Sequence, residues 1–124
     1  MPRIDHIAVA AHDKQVSARF FSEIFGLGHP EEAGRFLAVH LGPSFTLHFA
    51  DVGFDFPGQH YAFHVADEEF DAIRGRLDAR GIGYLPGPGR GTPGTINHHH
   101  GGRGLYFDDP AGHHLEIITA RYGA

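Results

Sequence analysis

The sequence predicts an α+β fold in which a βαβββ module occurs twice and forms a curved, incomplete barrel with the helices outside. The first observation is a repeated segment. The strand-like pattern that begins at His6 recurs at His60, and an acidic helix start and an amphipathic helix follow each copy. The second is that the predicted helix caps, Asp13 and Asp67, have the same separation as these two histidines. The third is that residues 46–50 resemble residues 114–118.

The first module covers residues 1 to about 52 and places one helix between strands. Residues 4–10 are predicted to form a strand, with Ile7 and Val9 on one side and His6, Ala8 and Ala10 on the other. Asp13 is predicted to cap a helix over residues 14–25, where apolar side chains recur every three to four positions. Residues 35–41 and 45–50 are strand patterns separated by a Gly-Pro-Ser turn.

The second module, about residues 58–124, repeats this order. Residues 59–65 are predicted to form a strand, and Asp67 is predicted to cap a helix that runs to about Arg80. Acidic residues in the first turn and arginines near the end suit the helix dipole. The remaining predicted strands are 82–85, 103–107 and 113–119. A loop rich in Gly, Pro and His makes this module longer than the first.

The composition argues against several classes of protein. Without cysteine the chain has no disulfide, thiolate ligand or thiolate nucleophile, so a bound metal must be held by nitrogen and oxygen atoms. A net charge of -5 argues against nucleic acid as a partner. The first residues enter a strand pattern directly and no long apolar run follows, so we expect a soluble cytoplasmic protein without membrane contact. The 12 histidines point first to a metal.

Four polar side chains occupy equivalent places in the two modules. His6 and His60 belong to the first strand of each module, and His48 and Glu116 belong to the last. Strand alternation directs their bulky neighbours toward the helices and these four side chains toward the concave face. Three imidazoles and a carboxylate suit Zn²⁺, Ni²⁺, Mn²⁺ or Fe²⁺, and two histidines with one carboxylate also form the ligand set of non-haem Fe²⁺ oxygenases. The alternative for His48 is a polar group above a three-ligand site.

Further polar residues are candidates for contact with a substrate. His64 shares a face with His60 roughly 6.5 to 7 Å away and is interpreted as a supporting or substrate-contacting residue, with ligation as the alternative. Glu116, His48 and His64 are candidate proton acceptors. Tyr106 is predicted to direct its hydroxyl into the cavity. The loop histidines 98–100 either contact a substrate or form a mobile polar loop. The histidines interpreted as ordinary hydrogen-bonded polar residues are His12, His29 and His40.

Several segments resemble the vicinal oxygen chelate superfamily. They are residues 5–9, 20–27, 60–63 and 105–116, and the similarity covers nearly the whole chain. The superfamily includes glyoxalases, extradiol dioxygenases, fosfomycin-resistance thiol transferases and bleomycin-resistance proteins. The ending Asp-Pro-x-Gly-x-x-Leu-Glu, residues 109–116, is specific to the superfamily and does not identify an activity.

The resemblance implies that His6, His60 and Glu116 are metal ligands. It places His48 where glyoxalases use a fourth ligand, commonly a carboxylate. It also matches Tyr106 to a substrate-contacting tyrosine of the fosfomycin enzymes. A homodimer is implied as well, often with a site shared between its chains.

Two functions are compatible with these observations. The first is a metal-dependent lyase, transferase or dioxygenase, in which a divalent metal ion binds two adjacent oxygens of a small substrate and stabilises a developing enolate or oxyanion. The second is a metal-free protein that binds a drug or metabolite, as bleomycin-resistance members do. The three predicted ligands favour the enzyme, because such binding proteins generally lack them.

Overall fold

The computed structural model describes residues 1–123, which divide into two compact units. The first unit consists of residues 1–57 and 109–111, and the second of residues 58–108 and the chain from residue 112 onward. Each unit contains one α-helix and one mixed sheet, so the predicted α+β class is confirmed. Within residues 1–123, no helix combines the length and the apolar composition needed to cross a membrane.

The first unit has a four-stranded sheet and one helix. Its elements are β1 (His6–Ala11), α1 (Lys14–Phe25), β2 (Glu31–Ala33), β3 (Phe36–His40) and β4 (Thr46–Asp51). The strand order is β1-β4-β3-β2, with β1 parallel to β4 and the other pairs antiparallel. The Asp13 carboxylate accepts the backbone N–H groups of Gln15 and Val16, and Gly26 ends the helix with φ 67°. These caps explain why α1 has the predicted bounds.

The second unit has a three-stranded sheet and one helix. Its elements are β5 (His60–His64), α2 (Asp67–Ala79), β6 (Gly104–Asp108) and β7 (His114–Ile118). The strand order is β5-β7-β6, with β5 parallel to β7 and β6 antiparallel to it. In both units, therefore, the first strand lies parallel to the last one and supplies side chains to the same face.

Two predictions about the second unit were wrong. Asp67 is the first residue of α2, and the N-cap is Ala66. The cap shifts because the Glu69 carboxylate reaches back and accepts the Ala66 N–H at 2.8 Å. The predicted strand 82–85 is not formed: among these described residues, the only β-pairing is a single bridge between Leu85 and Tyr106. Pro86 follows directly and has no N–H to continue a ladder.

Alternation along the strands separates an apolar face from a polar one. In the first unit the fully buried strand residues are apolar, and in the second unit the apolar Leu115 and Ile117 flank Glu116 on β7. Helix α2 buries Phe70, Ile73 and Leu77, which recur every three to four positions and so share one side of the helix. The polar strand residues, which include the histidines and Glu116, lie on the opposite strand face from the apolar residues.

Gly58, just before β5, is required where two backbone segments approach closely. A Cβ atom at this position would lie 2.1 Å from the carbonyl oxygen of Gly112. We expect Gly58→Ala to lower the free energy of unfolding by about 1–3 kcal/mol, because backbone has to move. The matched control is Gly75→Ala in α2, where a Cβ meets nothing within 4 Å. It should stabilise by about 1 kcal/mol. Urea unfolding of both variants checks this, and equal midpoints would contradict it.

Candidate functional site

The first unit brings together His6 and His48, two of the predicted ligands. In the parallel ladder of β1 and β4, Ala8 is opposite His48, so the two histidines are diagonal neighbours on one face. Their rings stack with centroids 4.8 Å apart and planes inclined by 25°. His6 Nδ1 lies 2.8 Å from Asp5 Oδ2. This contact favours a proton on Nδ1 and leaves the Nε2 lone pair of His6 available as a ligand.

The second unit brings together His60 and Glu116 in the same relation. In the parallel ladder of β5 and β7, Ala62 is opposite Glu116, so His60 is diagonal to Glu116. His60 Nδ1 is 3.0 Å from the carbonyl oxygen of His114. A carbonyl can only accept, so Nδ1 carries the proton and Nε2 of the neutral ring carries the lone pair. That Nε2 atom lies 3.1 Å from Glu116 Oε1.

The distance of 3.1 Å between His60 Nε2 and Glu116 Oε1 tests whether these two atoms could bind one metal ion. With a neutral His60 ring, two lone pairs at this distance repel each other unless a cation lies near both of them, whereas a doubly protonated ring donates through Nε2 to the carboxylate as an ion pair. Two ligands bound at right angles, each about 2.1 Å from one ion, are separated by about 3 Å. The carbonyl that orients His60 is also the usual partner of a metal-ligating histidine. The donor atoms of this pair therefore fit a divalent metal ion.

Glu116 is almost completely buried, with 1% of its surface exposed. Its Oε2 atom accepts a hydrogen bond from the Tyr122 hydroxyl, and the Tyr106 hydroxyl lies 3.4 Å from that of Tyr122. Burial, together with the hydrogen bond to the Glu116 carboxylate, raises the pKa of Tyr122. Burial also raises the pKa of Tyr106. Both tyrosines are therefore neutral hydroxyl groups near neutral pH. We name these side chains, with His60 and His100, the Glu116 cluster.

A cavity of about 600 Å³ opens beside the Glu116 cluster within the second unit. His60 and Tyr106 line it together with apolar residues that include Ile82, Leu85 and Pro88. An apolar cavity with a few polar groups at one side is the usual form of a small-molecule site. The arrangement gives a small organic substrate room next to the imidazole of His60 and the phenol of Tyr106.

Two further side chains at this cavity were not singled out from the sequence. His114 Nδ1 lies 2.8 Å from Asp108 Oδ1, and both residues line the cavity. They are opposite each other in the ladder of β6 and β7. Their signal in the sequence was the strand alternation itself, since it gives His114 the same face as Glu116.

The remaining predicted site residues have different surroundings. His64 is exposed, and its Nε2 lies 3.1 Å from the carbonyl oxygen of Thr119, so Nε2 donates to that oxygen. In the loop, His99–Gly101 forms a short 3₁₀ turn, and the His100 ring lies 4.5 Å from the Tyr122 ring. Tyr122 was missed because it follows the last strand, where alternation no longer assigns a face.

Within residues 1–123, no three His, Asp or Glu side chains are close enough together to hold a metal ion. The predicted ligands are seen as two pairs, His6 with His48 in one unit and His60 with Glu116 in the other. Metal coordination by these residues stays a prediction.

Known proteins resemble the chain over almost its full length. Residues 3–117 match the family model of the Glyoxalase/Bleomycin resistance protein/Dioxygenase superfamily. The glutathione transferase FosA of Serratia marcescens is 28% identical over 129 residues, with 98% of this chain and 83% of that protein covered. The solved structure of Oxidase ChaP-H1 has a TM-score of 0.95 and 43% identity, with 100% of both chains covered. For Oxidase ChaP-H2 the values are 0.94 and 44%, with 99% of this chain and 97% of that chain covered. This protein therefore belongs to the Glyoxalase/Bleomycin resistance protein/Dioxygenase superfamily, as its sequence motifs predicted.

Proposed function

We propose that this protein is a metal-dependent oxidase in which His6, His60 and Glu116 hold a divalent metal ion and a small oxygen-bearing substrate binds beside Tyr106. The observation that carries the proposal is the 3.1 Å distance between His60 Nε2 and Glu116 Oε1. His60 Nδ1 donates to the His114 carbonyl, so Nε2 is the ring atom that faces the carboxylate. The names of the two solved relatives at 43% and 44% identity favour oxidation. The relative named as a glutathione transferase, at 28% identity, favours thiol transfer less strongly.

The ligand set suggests which ion is used. Two imidazoles and one carboxylate are the set found in non-haem Fe²⁺ oxygenases, while Zn²⁺, Ni²⁺ and Mn²⁺ also suit these donors. The chemistry that such an ion supplies when bound is Lewis acidity toward substrate oxygens and, for Fe²⁺, electron exchange with dioxygen. Stacked rings do not direct their in-plane lone pairs at one point, so the His6–His48 geometry favours three ligands with His48 packed above His6.

The other side chains are proposed to bind and orient the substrate. Tyr106, a neutral phenol at the cavity wall, can donate a hydrogen bond to a substrate oxygen. His64 donates through Nε2 to the Thr119 carbonyl, which leaves its Nδ1 lone pair as the proposed proton acceptor. Glu116 has one oxygen toward His60 and the other bonded to Tyr122, so ligation suits it better than proton transfer.

The proposal is tested with protein purified without an affinity tag, stripped with a chelator and reloaded with Fe²⁺, Mn²⁺, Zn²⁺ or Ni²⁺ in separate samples. Dioxygen uptake is measured with a panel of catechols, which carry two adjacent oxygens, and mass spectrometry follows fosfomycin incubated with glutathione. We expect dioxygen uptake with the Fe²⁺ sample and its loss in His60→Ala. His40→Ala is the control, because His40 is bonded to Thr46 and Glu31.

Each other outcome identifies a different function. A glutathione adduct without dioxygen uptake would make the protein a thiol transferase. If none of the four metals is taken up, the proposal is contradicted and the metal-free drug- or metabolite-binding protein is favoured.

A further inference from the structure

We infer that Tyr122 and His100 are positioning residues for Glu116, and that the segment after β7 holds Oε2 of this carboxylate so that only Oε1 is presented to a metal ion. The inference rests on the proposed function, because it gives Tyr122 and His100 a role in the metal site proposed there. It assigns a function to two residues that lie beyond the strands of the unit.

The hydrogen bonds of Glu116 divide its two oxygens between different partners. Oε2 accepts the Tyr122 hydroxyl, whereas Oε1 faces His60 Nε2. The Tyr106 hydroxyl, 3.4 Å from that of Tyr122, adds a further polar neighbour on the same side. A carboxylate with one oxygen already bonded is fixed in rotation and can offer a metal the other oxygen without reordering.

Hydrogen bonds fix the backbone of the segment between β7 and Tyr122. The Thr119 N–H donates to the Arg103 carbonyl at 2.9 Å, and the Arg103 N–H donates to the Thr119 hydroxyl at 2.8 Å. His64 donates to the Thr119 carbonyl. A Cβ atom on Gly102 would lie 2.6 Å from the Ala120 Cβ, so the loop before β6 and this segment are in close contact. Tyr122 therefore extends from an anchored backbone.

The His100 ring packs against the Tyr122 ring. The two ring centroids are 4.5 Å apart, with planes inclined by 44°. Within residues 1–123, His100 is the only residue other than glycine with a positive φ, at 57°. Glycine adopts this backbone conformation with less strain. Histidine at a position that suits glycine is explained if the ring itself is needed against Tyr122.

The test measures Mn²⁺ affinity of the metal-free, tag-free protein by electron paramagnetic resonance of the free ion. Mn²⁺ is chosen because it binds clustered imidazoles weakly compared with Ni²⁺ or Cu²⁺. Tyr122→Phe keeps the ring on His100 and removes the hydroxyl, and we expect its affinity to fall about tenfold. His100→Gly keeps the backbone conformation and removes the ring, and a loss of similar size is expected. In the double variant, the loss should be smaller than the product of the two single losses, because both act through one contact.

The control variant is His98→Gly, a nearby loop position, which should bind Mn²⁺ as the original protein does. If the original protein binds neither Mn²⁺ nor Fe²⁺, Zn²⁺ or Ni²⁺, the proposed function fails and this inference fails with it. If it binds one of those three but not Mn²⁺, the affinities of the same variants are measured with that metal. If the original protein binds Mn²⁺ and Tyr122→Phe binds it equally well, only this inference is overturned. A lower melting temperature of the metal-free Tyr122→Phe protein with unchanged affinity would show a merely structural role and would also overturn it.

Discussion

Glu116→Gln should abolish stoichiometric metal binding and at the same time make the metal-free protein more stable. The amide N–H of a glutamine can donate to His60 Nε2, which now faces a carboxylate oxygen at 3.1 Å. The amide oxygen can still accept the Tyr122 hydroxyl. The repulsion between two lone pairs is thus replaced by a hydrogen bond, which contributes about 1 kcal/mol. A metal loses its only anionic ligand, so we expect its affinity to fall at least about 100-fold.

Two measurements check this prediction. Elemental analysis gives the metal content after reloading, and urea unfolding of the metal-free proteins gives the free energy of unfolding. His40→Ala should keep the full metal content, because His40 is on β3 and is bonded to Thr46 and Glu31. Stoichiometric metal in Glu116→Gln would refute the proposed ligand set. A metal-free variant less stable than the original protein would show that His60 and Glu116 already form a favourable ion pair.

Two variants that bind no metal alone should regain metal when they are mixed. The family resemblance implies a homodimer whose sites are often shared, so that His6 of one copy would join His60 and Glu116 of the other. In a mixed dimer of His6→Ala and Glu116→Gln, one site has lost both altered ligands and the other site is intact. Random pairing then restores about a quarter of the original metal content.

The experiment unfolds the two variants together, refolds them at equal amounts and measures metal content after reloading. Each variant refolded alone is the control and should stay without metal. No recovery in the mixture would place the three ligands within a single copy of the chain. Since both single variants must first lose metal, the same samples also test the ligand assignments.

Local signals in the sequence predicted the elements well where a cap or a breaker marks the end. Helix α1 has the predicted bounds because Asp13 and Gly26 define them. Apart from β2, which was not predicted, and residues 82–85, which form no strand, the strands were predicted at the right places. Their ends often differ by one or two residues, because alternation does not show where pairing stops. The shift of the N-cap from Asp67 to Ala66 depends on the Glu69 carboxylate, which accepts the Ala66 N–H, a contact that composition alone does not predict.

Strand alternation also predicted part of the candidate site. It placed His60 and Glu116 on one face, and the register of β5 and β7 then makes them diagonal neighbours. It could not identify Tyr122, since this residue follows the last strand. It could not assign His100 either, because the contact of its ring with Tyr122 joins a loop to the chain beyond β7.

The sequence by itself determined the α+β class, the superfamily, and the face of the strand on which each polar side chain lies. These follow from periodicity and short motifs, which act over a few neighbouring residues. Only the tertiary structure decided that His60 donates through Nδ1 to the His114 carbonyl and that Tyr122 takes one oxygen of Glu116. The first of these hydrogen bonds joins residues 54 positions apart, and the second joins the last strand to the segment that follows it. Both depend on distances of a few ångströms, which are set only when the sheet pairs and the chain after β7 folds back.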